Sequence, residues 1–514
     1  MNKSVTSKGL LVVILLAIFV VPSSISGTAV ALPAIGVDTH ASLTTLQWVV
    51  NAFNLTFACF TLVWGALADA FGRKRCFILG AVLYSTGSLL SAMADSPLVL
   101  DLARALAGVG AAAIFSCGIA LLSTHFDGAA RMRAFAMFGT VAGLGVSLGP
   151  TLSGLVLDNF NWRAIFWWHT GALVLVLLGS PLIHRDKQRA PITFSHFDAL
   201  GSLLFILALL ALMIAIVQGS QWGWGSHGVR ALIFSFVVLL AVFVWQEKRH
   251  RQPMLDLSLL ANRRFVGMAL VTVAASFGFV TLLTYLPSYL VSVLRLAPTE
   301  AGLTMLLLTL PMLVCPILAG RLVTHGVSPT GVLNTSLLCL LAGISSLAIA
   351  SHPGMPLWQL AMPLLLVGVG MGLSAGLVDG MALKAVPEER AGMAAGLLNT
   401  FRLASEAIAV ALYGSLLATL LGERLRGPLS TFAKNDDVLL NWINNVAAGN
   451  LDTPVLAVAA EKAELMRGML IGGYDNAFHI VLWAIASILT ALLALIAWLL
   501  IRPRKALVGV PQPF

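Results

Sequence analysis

Long apolar runs separated by short polar segments repeat along the whole chain. A helix rises about 1.5 Å per residue and needs about 20 residues to cross a bilayer, which most of these runs supply. A membrane β-barrel would instead show segments of about ten residues with alternating polarity. The pattern therefore predicts an all-α membrane protein with fourteen spans, at 9 to 33, 46 to 68, 76 to 94, 98 to 123, 134 to 157, 164 to 183, 198 to 218, 229 to 246, 265 to 290, 300 to 322, 330 to 350, 357 to 382, 394 to 421 and 476 to 501.

The polar segments between the runs differ in charge from one side to the other. The loops 34 to 45, 95 to 97 and 351 to 356 hold no Lys or Arg, whereas basic residues follow spans 2, 4, 6, 8 and 14. By the positive-inside rule the basic side is cytoplasmic, and an even number of spans places both termini there. The basic residues are Arg73, Lys74, Arg75, Arg131, Arg133, Arg185, Lys187, Arg189, Lys248, Arg249, Arg251, Arg263, Arg264, Arg502, Arg504 and Lys505.

Composition narrows the function further. With 59% hydrophobic and 10% charged residues the chain cannot be a water-soluble globule, and the net charge of +9 follows from the loop bias without a nucleic-acid partner. The five cysteines lie in or at the ends of spans with no CxxC pair, so neither a disulfide framework nor a metal site is indicated. The sequence also shows no nucleophile beside a base and no phosphate-binding loop, so we expect neither an enzyme nor a cofactor.

The first span has an alternative interpretation as a cleaved secretory signal. Lys3 and Lys8 precede the apolar run, and Ala29-Val30-Ala31 is similar to a cleavage site. The run is long enough for a retained span, and its removal would leave an odd number of crossings. We therefore expect the span to be retained.

Three motifs resemble those of the major facilitator superfamily. GALADAFGRKR at 65 to 75 is similar to its signature loop, LDLARALAGVGAAA at 100 to 113 to its helix-four arginine motif, and GVSLGPTLSG at 145 to 154 to its antiporter motif. We expect Asp69 to accept hydrogen bonds from helix N-terminal amides or to pair with Arg73, forming a cytoplasmic gate latch. Ala107 departs from the arginine motif, where glutamine is common. The motif residues are Gly65, Asp69, Gly72 and Arg73 in the loop, Arg104, and Gly145, Gly149, Pro150 and Gly154, whose glycines should form a smooth contact face.

With fourteen spans, the chain resembles the fourteen-helix drug:proton antiporters of that superfamily. The resemblance implies an N-terminal six-helix bundle at 1 to 190, an inserted helix pair at 191 to 264, and a C-terminal six-helix bundle at 265 to 514 that includes an outer loop at 422 to 475. AGRLVTHG at 319 to 326 is similar to a shortened second copy of the signature loop, as expected for an internally repeated transporter.

Position 24 departs from the family pattern. In SSISGTAVALPA at 23 to 34 the ALP landmark aligns, but Ser24 stands where many relatives carry an aspartate. A serine does not change charge at ordinary pH, so the family's usual proton or cation site is absent there.

Arg402 and Glu406 offer a replacement. They lie one turn apart in span 13, and Glu406 is near mid-membrane. Burial disfavours the ionised carboxyl and a nearby arginine favours it, so Glu406 could bind and release a proton. The alternative interpretation is a permanent Arg402–Glu406 ion pair that fixes helix packing.

Three further charges are candidates for coupling. We expect Asp379 within a turn or so of the cytoplasmic end of span 12, where water reaches it and a gate role is as plausible as a transport role. Asp101 precedes Arg104 by three residues, so the two could neutralise one another, and Arg104 could also bias the protonation of an acid across the cavity.

The resemblance thus implies a monomeric secondary transporter of the bacterial cytoplasmic (inner) membrane that exports hydrophobic, including cationic, drugs in exchange for protons. Its partners would be a small-molecule substrate, protons and the lipid bilayer. Export or symport of a native metabolite is an alternative. An uncoupled facilitator or a transport-inactive sensor is another, which Ser24 favours.

Overall fold

The computed structural model describes residues 3–39, 43–183, 198–250, 253–296, 298–387, 390–433, 435–447 and 451–501. Within these ranges the regular elements are helices, and fourteen helical segments are long and apolar enough to cross a membrane. The predicted fold class and the number of spans are confirmed. The basic residues at 185–189, 251 and 502–505, and the predicted boundary between residues 190 and 191, lie outside the described ranges.

The fourteen spans, numbered in chain order, have the following bounds. Spans 1 to 8 are Lys3–Thr39, Leu43–Phe71, Arg73–Ala92, Pro97–His125, Gly128–Asn159, Arg163–Gly179 with a 3₁₀ turn at Ser180–Leu182, Ala199–Trp222 and His227–Arg249. A short helix, Ser258–Ala261, precedes span 9. Spans 9 to 14 are Arg263–Ser292, Pro298–Thr324 in two pieces, Pro329–Ala350, Trp358–Lys384 in two pieces, Ala391–Ser430 and Ala460–Ile501.

Three spans of the C-terminal half are interrupted. Span 9 contains a π-helical turn at Ser276–Val280, span 10 is broken before Pro311, and span 12 is broken at Ala375 and Gly376. Pro311 lacks the amide that would continue the hydrogen-bond ladder. Gly376 has a φ of 74°, which a residue with a side chain rarely adopts. The break in span 12 lets its last eight residues, Leu377–Lys384, take their own direction.

The outer loop is shorter than predicted. Spans 13 and 14 extend to Ser430 and back to Ala460, so the predicted loop at 422 to 475 shrinks to about the residues between them. The end of that predicted loop, from Ala460 onward, is the first part of span 14. The helix-forming residues at its start continue without a break into the apolar run. Leu425 of span 13 and Leu470 of span 14 are buried where the extended ends of these two spans pack on each other. Two short helices, Asp436–Ala447 and Asp452–Leu456, complete the loop.

Spans 1 to 6 pack on one another, as do spans 9 to 14, and we call these two sets the halves; span 7 packs on span 8 and on spans 2 and 13. We call the end of the bundle that carries Arg73–Arg75 and the end of span 4 the basic face. Near this face, Gly65 of span 2 meets Gly392 of span 13, and Gly376 of span 12 meets Phe135 of span 5. The two halves are therefore in backbone contact on the side of the basic face.

Candidate functional site

Asp69 connects the two halves at the basic face. Its Oδ1 accepts hydrogen bonds from the Gly392 amide at 3.0 Å and from Arg73 Nη2 at 3.1 Å, and its Oδ2 accepts one from the Met393 amide at 2.8 Å. Gly392 and Met393 belong to the first turn of span 13, where unpaired amides and the helix dipole attract a carboxylate. We call this contact the latch. It fixes the end of span 2 to the start of span 13.

The two loop glycines serve different needs. A Cβ at Gly65 would lie 2.2 Å from the Gly392 carbonyl oxygen, so only glycine permits this approach of spans 2 and 13. Gly72 has open space around it, but its φ of 99° is in the left-handed region. Gly65 is therefore required for packing and Gly72 for the turn into span 3.

The glycine-proline motif of span 5 packs on span 1. A Cβ at Gly145 would lie 2.6 Å from the Phe19 carbonyl oxygen, and one at Gly149 would lie 2.8 Å from the Ser23 carbonyl oxygen. Pro150 lies inside the helix, as predicted. Gly154 was predicted on the same face, but nothing lies within 4 Å of its Cβ position, so that prediction is wrong. Five residues after Gly149 the helix has turned by about 140°, which points Gly154 away from span 1.

Arg402 pairs with Asp379 in the C-terminal half. Its Nη2 donates to both carboxylate oxygens of Asp379, at 2.9 and 3.1 Å, and its Nη1 donates to Asn399 Oδ1 at 2.8 Å. We call Asp379, Asn399 and Arg402 the central charge cluster. The ion pair between Arg402 and Glu406, which the one-turn spacing suggested, does not form. The break at Gly376 points the short second helix of span 12 at span 13, so that both carboxylate oxygens of Asp379 come within hydrogen-bond distance of Arg402 Nη2.

Asp379 is deeply buried, with a relative exposure of 1%. The prediction that water reaches it is wrong for this conformation. Gly376 and Gly380, on either side of it in the chain, both pack on Phe135 of span 5 and close off that end of span 12. Asp379 also lies in the first turn of its helix, where the dipole stabilises a negative charge.

Glu406 is half-buried one turn beyond Arg402. Its carboxyl makes no hydrogen bond and no ion pair within 4.0 Å with any residue that the structure describes. Arg402 therefore lies between one carboxylate that it binds and a second that it leaves unbound.

Two polar contacts at this site were not predicted from the sequence. Asn399 precedes Arg402 by three residues on the same helix face, a spacing that could have indicated the contact. Ser405 Oγ donates to Ser276 Oγ at 2.9 Å, which joins span 13 to the π-helical turn of span 9. No local signal in the sequence indicates that tertiary contact.

Arg104 occupies the interior of the N-terminal half with no exposed surface. Its Nη1 donates to Ser24 Oγ at 3.0 Å and its Nε to the Val49 carbonyl oxygen at 3.1 Å. Asp101, the predicted neutralising partner, forms no ion pair with it, and its Oδ1 is buried without a hydrogen-bond partner. Arg104 is therefore held by neutral groups.

These sites suit charge movement within a membrane. The described residues contain no group of three or more His, Cys, Asp or Glu side chains able to hold a metal ion. The central charge cluster combines one buried carboxylate, that of Asp379, with an arginine, and a second carboxyl, that of Glu406, lies one turn beyond it. Carboxyls beside an arginine at membrane depth are groups that can exchange protons.

Comparisons with known proteins identify the family and the fold of this chain. The family model of the Major Facilitator Superfamily matches residues 14–410. The multidrug resistance protein Stp of Mycobacterium tuberculosis is 34% identical over 77% of this chain and 73% of its own length. The riboflavin transporter RibZ of Clostridioides difficile is 28% identical over 79% of this chain and 88% of its own. The human organic anion transporter MFSD10 superposes with a TM-score of 0.58 over 94% of this chain and all of its own, at 14% identity, a likeness of fold alone.

Proposed function

This chain belongs to the Major Facilitator Superfamily, and from that premise we propose that it exports hydrophobic drugs or toxic compounds in exchange for protons by alternating access. It is a transporter and not an enzyme. The observation that carries the coupled mechanism is the central charge cluster, with Glu406 one turn beyond it. The similarity to a multidrug resistance protein supports drugs as the substrate class.

The basic face is the cytoplasmic side of the bacterial inner membrane in this proposal, and both termini lie there. The structure then represents a conformation closed to the cytoplasm, because the latch and the contact between Gly376 and Phe135 join the halves on that side. Substrate would load after these contacts open and leave after they re-form.

Proton coupling in this proposal depends on whether Arg402 pairs with the carboxyl of Asp379 or with that of Glu406. In the closed conformation Arg402 neutralises Asp379, and Glu406, which has no cation bound to it, takes up the proton. When span 12 moves away from Phe135, the pair between Arg402 and Asp379 loses its fixed geometry and Arg402 can turn to Glu406. Glu406 then releases its proton. Opening of the basic face is thereby linked to proton release on the cytoplasmic side.

Two alternatives have specific support. Transport of a native metabolite is favoured by the similarity to a riboflavin transporter, which spans most of both chains. An uncoupled facilitator or sensor is favoured by Ser24, which supplies no titratable group where many relatives have one.

Everted membrane vesicles with an acidified lumen test the coupled mechanism. If substrate enters the lumen in exchange for protons, adding substrate should raise luminal pH in vesicles that contain the protein and leave it unchanged in empty vesicles. Substrate uptake that continues at the same rate after the pH gradient is collapsed would contradict antiport and leave the facilitator.

The latch should set the rate of the conformational cycle. Asp69→Asn removes the charge at the start of span 13, and Gly72→Leu strains a backbone with a φ of 99°. If closing of the basic face limits the cycle and its transition state already contains these contacts, each change raises that barrier by roughly 1 kcal/mol, so we expect export at saturating substrate to fall about fivefold. The measurement is the initial export rate per folded protein.

Asp127→Asn is the matched control for this prediction. Asp127 is exposed, follows span 4 at the basic face and makes no capping hydrogen bond with its side chain. The control should export at the wild-type rate. Unchanged saturating rates in both latch variants would show that these contacts do not limit the cycle.

A further inference from the structure

Arg104 is a buried cation without an internal counter-charge. Its guanidinium contacts Ser24 Oγ, the Val49 carbonyl oxygen and the ring of Phe53, whose centroid lies 4.3 Å from Arg104 Cζ. Its third nitrogen, Nη2, is buried and has no hydrogen-bond partner among the described residues. Nor does any described carboxylate lie within ion-pair distance of it. Among the described residues the positive charge is therefore solvated by dipoles and by the aromatic rings of Phe53 and Phe166.

Burying an unpaired charge costs free energy, and the unpaired Nη2 of Arg104 adds the cost of an unsatisfied hydrogen-bond donor. Carbonyl oxygens and aromatic rings offset part of that cost. A carboxylate at position 24 would offset most of it, because Ser24 Oγ lies only 3.0 Å from Nη1. Serine at position 24 keeps the hydrogen bond with Arg104 but supplies no negative charge.

Further buried polar atoms without partners lie in the same half. Thr28 follows Ser24 by one turn of span 1, and its hydroxyl oxygen, like that of Ser88 in span 3, is buried and unpaired within the described part of the chain. His169 Nδ1 is likewise buried and unpaired. Buried polar groups in native proteins almost always have partners, so these atoms indicate room for a polar ligand or water.

A crevice leads toward the same region. It has a volume of about 150 Å³ and is lined by residues of spans 1, 5 and 6, with His169 among them. The ring of Phe166 lies 6.3 Å from the ring of His169 and 5.7 Å from Arg104 Cζ, so Phe166 packs between a lining residue of the crevice and the guanidinium.

We propose that Arg104 and Ser24 bind the anionic group of a ligand, and, resting on the proposed export function, that the substrates include hydrophobic compounds with a carboxylate or similar acid group. Nη2 would donate to the anion, and Ser24, whose hydroxyl accepts from Nη1, would donate its own proton to it. The anion comes either from the substrate itself or from a small inorganic ion such as chloride that enters with it. A cationic drug would be repelled from this half.

Three ligands that share the dansyl fluorophore and differ in charge test the proposal. Dansylglycine carries a carboxylate, dansylglycinamide is neutral and dansylcadaverine carries an ammonium group. Binding to the full chain in nanodiscs is followed by energy transfer from tryptophan, with no gradient and with gluconate as the buffer anion. We expect dansylglycine to bind about tenfold tighter than the amide, because it gains a charge-assisted hydrogen bond.

Two substitutions at position 24 provide a matched pair. Ser24→Asp places a carboxylate beside Nη1 and should abolish the preference for dansylglycine, whereas Ser24→Asn adds a similar volume without charge and should keep it. Arg104→Gln should lose the preference and Arg104→Lys should retain part of it. The position-24 pair keeps the test valid if the arginine variants do not fold.

Chloride distinguishes the two sources of the anion. If an inorganic ion is the occupant, chloride should raise the unfolding temperature of the wild type above its value in gluconate, with no such rise in Ser24→Asp. No dansylglycine preference together with no chloride effect would overturn the proposal, as would tightest binding of dansylcadaverine. Because binding is measured without a gradient, selective binding without export would fault only the proposed export function.

Discussion

Glu406→Gln is expected to abolish gradient-driven, uphill export while the protein folds and accumulates normally. Glutamine keeps the size and hydrogen-bonding capacity of the side chain but cannot titrate. The substitution breaks no ion pair, because Glu406 has none with the described residues, so little stability is lost. The measurement is substrate accumulation against its gradient in energised vesicles, normalised to folded protein. We expect a loss to the level of empty vesicles, with downhill movement of substrate still present.

Glu423→Gln is the control on the same helix. Glu423 is exposed near the far end of span 13, so its neutralisation should leave coupling unchanged. Wild-type accumulation by Glu406→Gln would remove Glu406 from the coupling mechanism and make Asp379 or Asp101 the next candidate. Reduced accumulation in both variants would point to a general effect of charge on the helix.

The number and order of the spans could be predicted from the sequence because hydropathy and span length are properties of consecutive residues. The bilayer requires each apolar run to satisfy its own backbone, so a long run becomes a helix whatever it packs against. The same logic placed Asp69 at the end of span 2, where it reaches the amides of Gly392 and Met393. The position of Asp69 could be predicted because the residues of the motif have a fixed spacing in the sequence.

The partner of Arg402 could not be predicted in the same way. Helical spacing pointed to Glu406, but the choice depends on the direction of span 12 after its break at Gly376. The sequence GLSAGLVDG does not distinguish a glycine that permits close packing from one that ends a helix with a positive φ. Arg402 could pair with either Asp379 or Glu406, and the break in span 12 determines that it pairs with Asp379.

Gly154 and Arg104 illustrate the same limit. Gly154 continues a glycine motif in sequence but has turned away from span 1 in space. Arg104 was assigned an acid three residues before it, yet its contacts come from spans 1 and 2, where Ser24 and a backbone carbonyl meet it. Neighbours across a helical bundle have no fixed separation in sequence.

Arg402→Ala is expected to lower stability strongly, and rescue by a second substitution should separate the structural role of the pair from its role in transport. The change leaves the carboxylate of Asp379, 1% exposed, without its cation, and breaking a buried pair in this way costs on the order of 3 kcal/mol. We expect a lower unfolding temperature and less protein in the membrane. Arg390→Ala removes the partner of Asp256 from a more exposed ion pair, so as a control it should cost about 1 kcal/mol or less.

The double variant Asp379→Asn with Arg402→Gln removes both charges and keeps hydrogen-bonding groups at both positions, so its abundance should return close to that of the wild type. If the pair only holds spans 12 and 13 together, uphill export should return as well. If Arg402 changes partner between Asp379 and Glu406 during the cycle, the double variant should fold and bind substrate but not accumulate it. Glu406 would then have no cation to stabilise its ionised form when the basic face opens, and its proton would not be released. Full recovery of accumulation would therefore restrict the pair to packing, whereas recovery of abundance alone would place it in the coupling mechanism.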